Sequence, residues 1–169
     1  GLIETVKSRG GYVKDLHGAE NVYYQVNATY YSALGESDAR MLLARAIQLF
    51  VPGTPQIWYL DLFAGRNDHE AVAAAGPGGH KEINRTDLST ADVEAGLTRD
   101  VTERQLELLR FRASFPAFGF DAECHVADPE PGRLRITWTR DDASTTLDAD
   151  LVHETFEITA TRAGSTVTV

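Results

Sequence analysis

The sequence predicts an α/β segment followed by a small antiparallel β segment, and three observations carry that prediction. From Ala39 to Phe50 the residues Met41, Leu42, Leu43, Ala44, Ala46, Ile47, Leu49 and Phe50 place apolar side chains almost all round a helix, interrupted by Arg40, Arg45 and Gln48. A helix of that kind is covered on most of its sides. Val51-Pro52-Gly53-Thr54-Pro55 stops it, and Gln56-Ile57-Trp58-Tyr59-Leu60 then runs apolar without alternation. That is the pattern of a strand buried on both faces, so helix, tight turn and strand read as half of a β/α repeat. Beyond Phe120 the pattern changes to short alternating runs, as in an antiparallel sheet with one wet face. The boundary falls near Gly119, giving expected domains of 1–118 and 119–169.

Taken in order, the chain opens with Leu2, Ile3 and Val6 at helical spacing, then Lys7 and Arg9, and a stop at Gly10-Gly11. A first helix without a cap or lead-in is expected of a piece of a longer polypeptide; a trimmed short domain is the alternative. Residues 12–20 read as irregular. The stretch 21–35 holds four tyrosines, two asparagines and one glutamine, and no charge. It offers flat apolar faces with neutral hydrogen-bonding groups, which is what a pyranose ring presents in return. The same composition also suits a packed edge strand, and both readings stay open. Ser37 is the expected N-cap of the long helix. Residues 71–79 are small and glycine-rich, hence a loop or short helix. Thr102 with Gln105 forms a capping-box pattern ahead of Leu106, Leu108, Leu109 and Phe111, and Pro116 ends that helix. Leu134, Ile136 and Trp138, then Leu147, Ala149 and Leu151, then Phe156, Ile158 and Ala160 are the inward positions of the strands. Asp128 to Gly132 and Arg140 to Asp142 are turns.

Charge and composition exclude several classes. The 169 residues carry a formal net charge of −9. A nucleic-acid partner requires a basic footprint, and an anionic membrane surface requires cations; neither is expected here. No apolar run reaches the length of a membrane helix, about 20 residues. The lone Cys124 permits no internal disulfide and fits a reducing, cytoplasmic setting. The five histidines are scattered, without the spacing of a ligand pair, so neither a metal nor a cofactor is expected. No serine nucleophile elbow and no phosphate-binding glycine loop is present.

In β/α folds, functional groups sit at the C-terminal ends of strands. Asp61, Arg66, Asn67 and Asp68 follow the expected strand 56–60 and are therefore candidates, with a polar turn as the alternative. Arg85 could aim a planar fork of donors at hydroxyls or phosphate. His69 between Asp68 and Glu70 reads as a solvated loop residue rather than a proton shuttle. Many carboxylates are present, but retaining glycoside chemistry needs two about 5 Å apart, which sequence spacing does not reveal. The residues alone lead to the last β/α units of a barrel, a β domain and a sugar-like lining, and to no reaction.

The block Tyr24-Gln25-Val26-Asn27-Ala28-Thr29-Tyr30-Tyr31-Ser32-Ala33-Leu34-Gly35 resembles the acceptor-site loop of the sucrose phosphorylases, a branch of the α-amylase superfamily. Three further blocks are similar in the same order: residues 44–53, Ala64-Gly65-Arg66-Asn67-Asp68, and Glu82-Ile83-Asn84-Arg85. The resemblance runs from Gly1 to about Phe118 and more loosely to the end, and corresponds to the last third of such an enzyme. It implies the last β/α units of a (β/α)8 barrel followed by a small C-terminal antiparallel β domain. It also implies transfer of glucose to phosphate with retention, through a glucosyl-enzyme, releasing α-glucose 1-phosphate. The catalytic carboxylates of that family precede the matching region, so no residue of this chain takes those roles and the chain alone is expected to be inactive.

What the resemblance carries over is substrate binding. Arg85 matches the arginine set against bound glucose. Tyr24 and Gln25 match a loop that contacts the leaving sugar and phosphate in turn, with Tyr24 offering a phenolic donor to phosphate. The implied partners are sucrose or a related α-glucoside, inorganic phosphate, the N-terminal part of the barrel, and a second copy in a homodimer. The chain departs from the sucrose-specific pattern at Val22, at Asp87-Leu88 and at Asp61-Leu62, all on the acceptor side. Two other readings remain: a hydrolase or transglucosidase on the same barrel, and a non-catalytic carbohydrate-binding module.

Overall fold

A computed structural model describes residues 1–16, 22–128 and 130–169. The chain forms two compact units that do not follow sequence order: Gly1–Met41 with Ile57–Glu103, and Leu42–Gln56 with Arg104–Val169.

The first unit begins with helix α1 (Leu2–Ser8), where Val6 is buried and Gly11 closes the end by donating to the Val6 carbonyl. Strands β1 (Tyr12–Asp15) and β2 (Tyr23–Asn27) follow as an antiparallel ribbon. The irregular reading of residues 12–20 is thus corrected for 12–15, while 17–20 lie outside the described residues. Four residues without alternation carry too little pattern to announce a strand. It is the pairing with β2 that makes β1 one. The register shifts at Lys14/Asp15: Lys14 faces Gln25 and Asp15 faces Tyr23. Tyr24 is therefore the extra residue of a bulge, a device that re-aims a side chain.

Helix α2 (Tyr30–Ala33) is capped by the Thr29 side chain, which accepts from the Ser32 amide. Helix α3 (Asp38–Phe50) starts at Ser37, whose hydroxyl accepts from the Arg40 amide at 3.3 Å. None of its residues from 40 to 50 is exposed, as the all-round apolar pattern requires. The expected strand 56–60 is not one. The Trp58 backbone is extended, but it caps helix α4 (Tyr59–Leu62), and neither sheet takes in 56–58. An apolar extended run becomes a strand only when a neighbour supplies the ladder.

Gly65 ends α4 under constraint: a Cβ there would lie 2.4 Å from a Leu60 methyl carbon. Helix α5 (His69–Ala75), a 3-10 turn (Gly79–Asn84), helix α6 (Thr90–Leu97) and the start of helix α7 (Asp100–Ser114) complete the unit. α6 carries the capping box, formed by Ser89 and Asp92. The capping role expected of Thr102 is overturned. α7 begins earlier, the Thr102 amide already donates to the Arg99 carbonyl at 2.9 Å, and Thr102 and Gln105 are buried within the helix.

The second unit joins the rest of α3 and α7 to five strands: β3 (Glu123–Val126), β4 (Arg133–Arg140), β5 (Ala143–Asp150), β6 (Thr155–Arg162) and β7 (Ser165–Thr168). They form an antiparallel meander in sequence order. Its paired residues run without a shift from β3 to β7. The β6–β7 turn uses Ala163 (φ 49) and Gly164 (φ 80), the two left-handed residues that suit the twist of a two-residue hairpin. Ile136, Trp138, Leu147, Ala149, Ile158 and Ala160 are buried on the apolar face. Leu151 lies past the strand end and is exposed. Inside the unit, the Trp138 indole donates to the Phe50 carbonyl at 2.7 Å. Phe50 meets Phe118 edge-on, and the Arg112 guanidinium lies 4.2 Å from the Phe118 ring centre. Arg45 is buried and donates to Gln105 Oε1 at 2.9 Å.

Candidate functional site

A cavity of about 330 Å³ in the first unit is lined by Gln25, Val26, Asn27, Trp58, Asp61, Lys81, Asn84 and Arg85. Three separated pieces of sequence build it. β2 delivers Gln25, Val26 and Asn27; the entry to α4 and its first turn deliver Trp58 and Asp61; the 3-10 turn and its last cap deliver Lys81, Asn84 and Arg85. Strand alternation puts Gln25 and Asn27 on one side of β2.

Hydrogen bonds between these pieces hold the walls together. The Trp58 indole donates to the Asn84 carbonyl at 3.1 Å, and the Tyr59 hydroxyl donates to the Thr86 carbonyl at 2.7 Å. Asn84 Nδ2 reaches the Ala28 carbonyl at 3.4 Å, and Asp61 Oδ1 accepts from the Tyr30 amide at 3.0 Å. The Gly65-Arg66-Asn67-Asp68 segment works as a brace. Asn67 Oδ1 accepts from the buried Thr29 amide at 2.7 Å, and the Asn67 amide donates to Ser32 Oγ at 3.0 Å. Asp68 caps α5 through the Ala71 amide at 2.8 Å and accepts from Thr86 Oγ1 at 3.0 Å. Those two bonds hold its carboxyl below the usual range, the Ala71 amide most of all. Arg66 pairs with Glu36 at 2.9 Å. Of these candidates only Asp61 lines the cavity; Asn67 and Asp68 fix the loops behind it. His69 lies outside the lining, with its ring edge-on to Tyr12.

Gln25 and Arg85 come to one cavity from distant parts of the sequence. Arg85 engages Glu82 through Nη1 at 3.4 Å and stays half exposed. Tyr24 does not line the cavity; 64% exposed, it projects at the bulge of β2. Tyr31, from the same tyrosine-rich stretch, is buried and donates to Asp38 Oδ1 at 2.8 Å, so its role is packing. Burial first, and then Asp38, push its hydroxyl pKa up. Trp58, Lys81, Asn84 and Asn27 line the cavity without having been singled out from sequence. Alternation from Gln25 could have found Asn27. Trp58, half exposed, was hidden inside an apolar run that read as buried strand. Nothing local distinguishes Lys81 from a solvated lysine.

Larger concavities exist in the second unit. One of about 660 Å³ lies on the wet face of the sheet, and one of about 550 Å³ lies among Phe118, Phe120, Trp138 and Arg112. In the first, the cations are already matched. Arg135 bonds Asp148, and Arg133 lies 3.2 Å from Asp150. In the second, the Arg112 guanidinium is spent on aromatic faces. The smaller cavity combines an aromatic wall, neutral amides and two cations, Arg85 being paired with Glu82, a mixture that suits a hydroxylated or anionic ligand. Among the described residues no cluster of histidine, cysteine, aspartate or glutamate could hold a metal ion, and no helix is long and apolar enough to cross a membrane.

No protein-family model matches the chain. A sucrose 6(F)-phosphate phosphorylase of Ilumatobacter coccineus is 56% identical over 98% of this chain and 32% of its own length. A glucosylglycerol phosphorylase of Marinobacter adhaerens is 33% identical over 95% of this chain and 34% of its own length. The crystal structure of sucrose 6F-phosphate phosphorylase from Thermoanaerobacter thermosaccharolyticum matches with a TM-score of 0.92 at 35% identity, over 99% of this chain and 34% of that one. The chain thus spans about a third of the length of these relatives and has the fold of their C-terminal part.

Proposed function

We propose that this chain, which belongs to the sucrose phosphorylase family and corresponds to the C-terminal part of its members, supplies part of the substrate-binding wall of a retaining α-glucoside phosphorylase. The observation that carries the reading is the meeting of Gln25 and Arg85 in one cavity beside Trp58 and Lys81. Arg85 supplies directed donors to the glucosyl hydroxyls and helps fix the ring for displacement. Gln25 donates and accepts at hydroxyls of the leaving sugar. Tyr24 stands on a bulged strand with its ring in solvent, and a local movement of that strand brings its hydroxyl to phosphate.

The reaction is a double displacement. A carboxylate takes glucose from the glucoside, and phosphate then attacks in place of water to release α-glucose 1-phosphate. The carboxylates of that reaction belong to a preceding part of a longer polypeptide, so the chain alone is inactive. The glucoside is sucrose or a sucrose phosphorylated on fructose, as the name of the 56%-identical relative suggests. Lys81 adds a cation beside Arg85, which favours a phosphorylated leaving group over a neutral one. Val22 and Asp87 add none.

The test incubates the full-length polypeptide with sucrose, sucrose 6F-phosphate or glucosylglycerol, with and without inorganic phosphate. Glucose 1-phosphate formed only with phosphate is the expected product. Free glucose without phosphate dependence would make the enzyme a hydrolase, and no turnover of any glucoside would remove the reading.

A further inference from the structure

Arg85 sits on a segment with little support of its own. Residues Gly79–Asn84 form a 3-10 turn, whose hydrogen bonds are poorer than those of an α-helix, and Arg85 is its C-cap. The Arg85 side chain engages Glu82 at 3.4 Å and is half exposed. The residues on either side of it are held from elsewhere. The Asn84 carbonyl accepts from the Trp58 indole at 3.1 Å, and the Thr86 carbonyl accepts from the Tyr59 hydroxyl at 2.7 Å. Two consecutive aromatic residues thus use their polar tips to pin the backbone just before and just after Arg85. Their ring centres lie 4.8 Å apart, so each ring limits the movement of the other. Asp68 adds two further ties: its amide donates to the Ile83 carbonyl at 2.9 Å, and its carboxylate accepts from Thr86 Oγ1 at 3.0 Å.

We infer that Tyr59 is a positioning residue that sets where the Arg85 guanidinium points. The inference rests on the sugar-binding reading of this cavity and goes beyond it, since Tyr59 does not itself line the cavity. An arginine has many rotamers, and its planar fork of donors meets hydroxyls well only from a narrow range of directions. A backbone fixed on both sides leaves fewer arrangements to be lost when a substrate is engaged. The tie from Tyr59 is the shortest of the four, and it comes from helix α4, where the neighbouring Leu60 is buried. Trp58 pins the other side but also lines the cavity, so its ring touches whatever binds there. Tyr59 separates holding Arg85 from touching the ligand.

The experiment uses the full-length polypeptide, inorganic phosphate, and whichever of sucrose and sucrose 6F-phosphate the parent turns over. Tyr59→Phe keeps the ring and its contact with Trp58 and removes only the hydroxyl. The expected result is a fall of about tenfold in kcat/KM for the glucoside, the size of one lost hydrogen bond passed on to an oriented group. The readout that a merely structural role does not move is a double-mutant cycle with Arg85→Ala. Without a guanidinium to aim, Tyr59→Phe should cost less than about twofold. Its effect on melting temperature should be the same in both backgrounds. Thr86→Val, which removes the tie to Asp68, takes the place of Tyr59→Phe in the cycle should that variant not fold. Unchanged kcat/KM in the single variant, or equal fold-losses with and without Arg85, would overturn the inference and leave the sugar reading standing. Unchanged kcat/KM in Arg85→Ala would overturn the sugar reading, and the inference with it.

Discussion

The two sheets of this molecule obey different rules. The three central strands of the five-stranded meander alternate more and less buried positions, and the sheet keeps its register from β3 to β7. The two-stranded ribbon breaks register at Lys14/Asp15, exposes Tyr24 and leaves buried amide atoms of Gln25 and Asn27 unpaired. A strand with one apolar face has one good register, because a one-residue slip would turn that face to water. The ribbon has no such face. Its form comes from a bulge and from neighbours that hold its exit. Local rules are kept in the meander and broken in the ribbon, beside the cavity proposed to bind substrate.

The contrast can be broken most sharply at Trp138. Trp138→Ala removes a buried indole and leaves the Phe50 carbonyl without its donor. It should lower unfolding free energy by about 3–5 kcal/mol, read by urea unfolding of the full-length polypeptide. The surviving folded fraction should keep its KM values. A change of KM would tie the sheet to the site.

Arg85→Ala is the converse test. It should lower kcat/KM by about 10²–10³-fold, as the loss of an oriented charged donor does, with little change in melting temperature. Unchanged turnover would take Arg85 out of the site.

Asn67→Ala sits between the two. It strips the acceptor from the buried Thr29 amide, where β2 leads into α2. The expected loss is about 1–3 kcal/mol of stability together with a raised glucoside KM. A stability loss without any kinetic change would show that the brace does not shape the cavity.

The smallest effect belongs to the β5–β6 turn. The Asp150 carboxyl is held down at about 2, first by the His153 amide and then by its ring, with the Val152 amide and Arg133 adding to them. A depressed carboxyl stabilises the fold above its unfolded value of about 3.9 and loses that contribution as pH falls toward 2. Melting temperatures of the parent and of Asp150→Asn should therefore differ above pH ~5 and converge between about 4 and 2. A constant difference down to pH 2 would show that the carboxylate is not what holds the turn.

How much of this was legible differs between the same two regions. Ile136, Trp138, Leu147, Ala149, Ile158 and Ala160 were readable as inward positions, since period-two alternation is local and survives without knowledge of neighbours. The long helix 38–50 was readable for the same reason. The cap at Ser89 was overlooked in favour of Thr102, where a matching pair lies inside the helix and its amide already bonds to Arg99. The run 56–60 carried a strand's composition, yet no described strand pairs with it. Gln25 and Arg85 were nominated by motif. Asn27, Trp58 and Lys81 were not, because each looks ordinary among its own neighbours in sequence.

Sequence alone determined the period of each long element and which faces are apolar, because these depend on residue type and spacing along the chain. Tertiary structure decided which polar groups do structural work and which are left over. Asn67 and Asp68, nominated as site residues, spend their oxygens on Thr29, Ala71 and Thr86. Asn27, not nominated, lines the cavity while its side-chain donor is buried and unpaired. The physical reason is that a hydrogen bond is set by distance and direction in space. Whether an amide is satisfied depends on segments far away in sequence that fold to meet it.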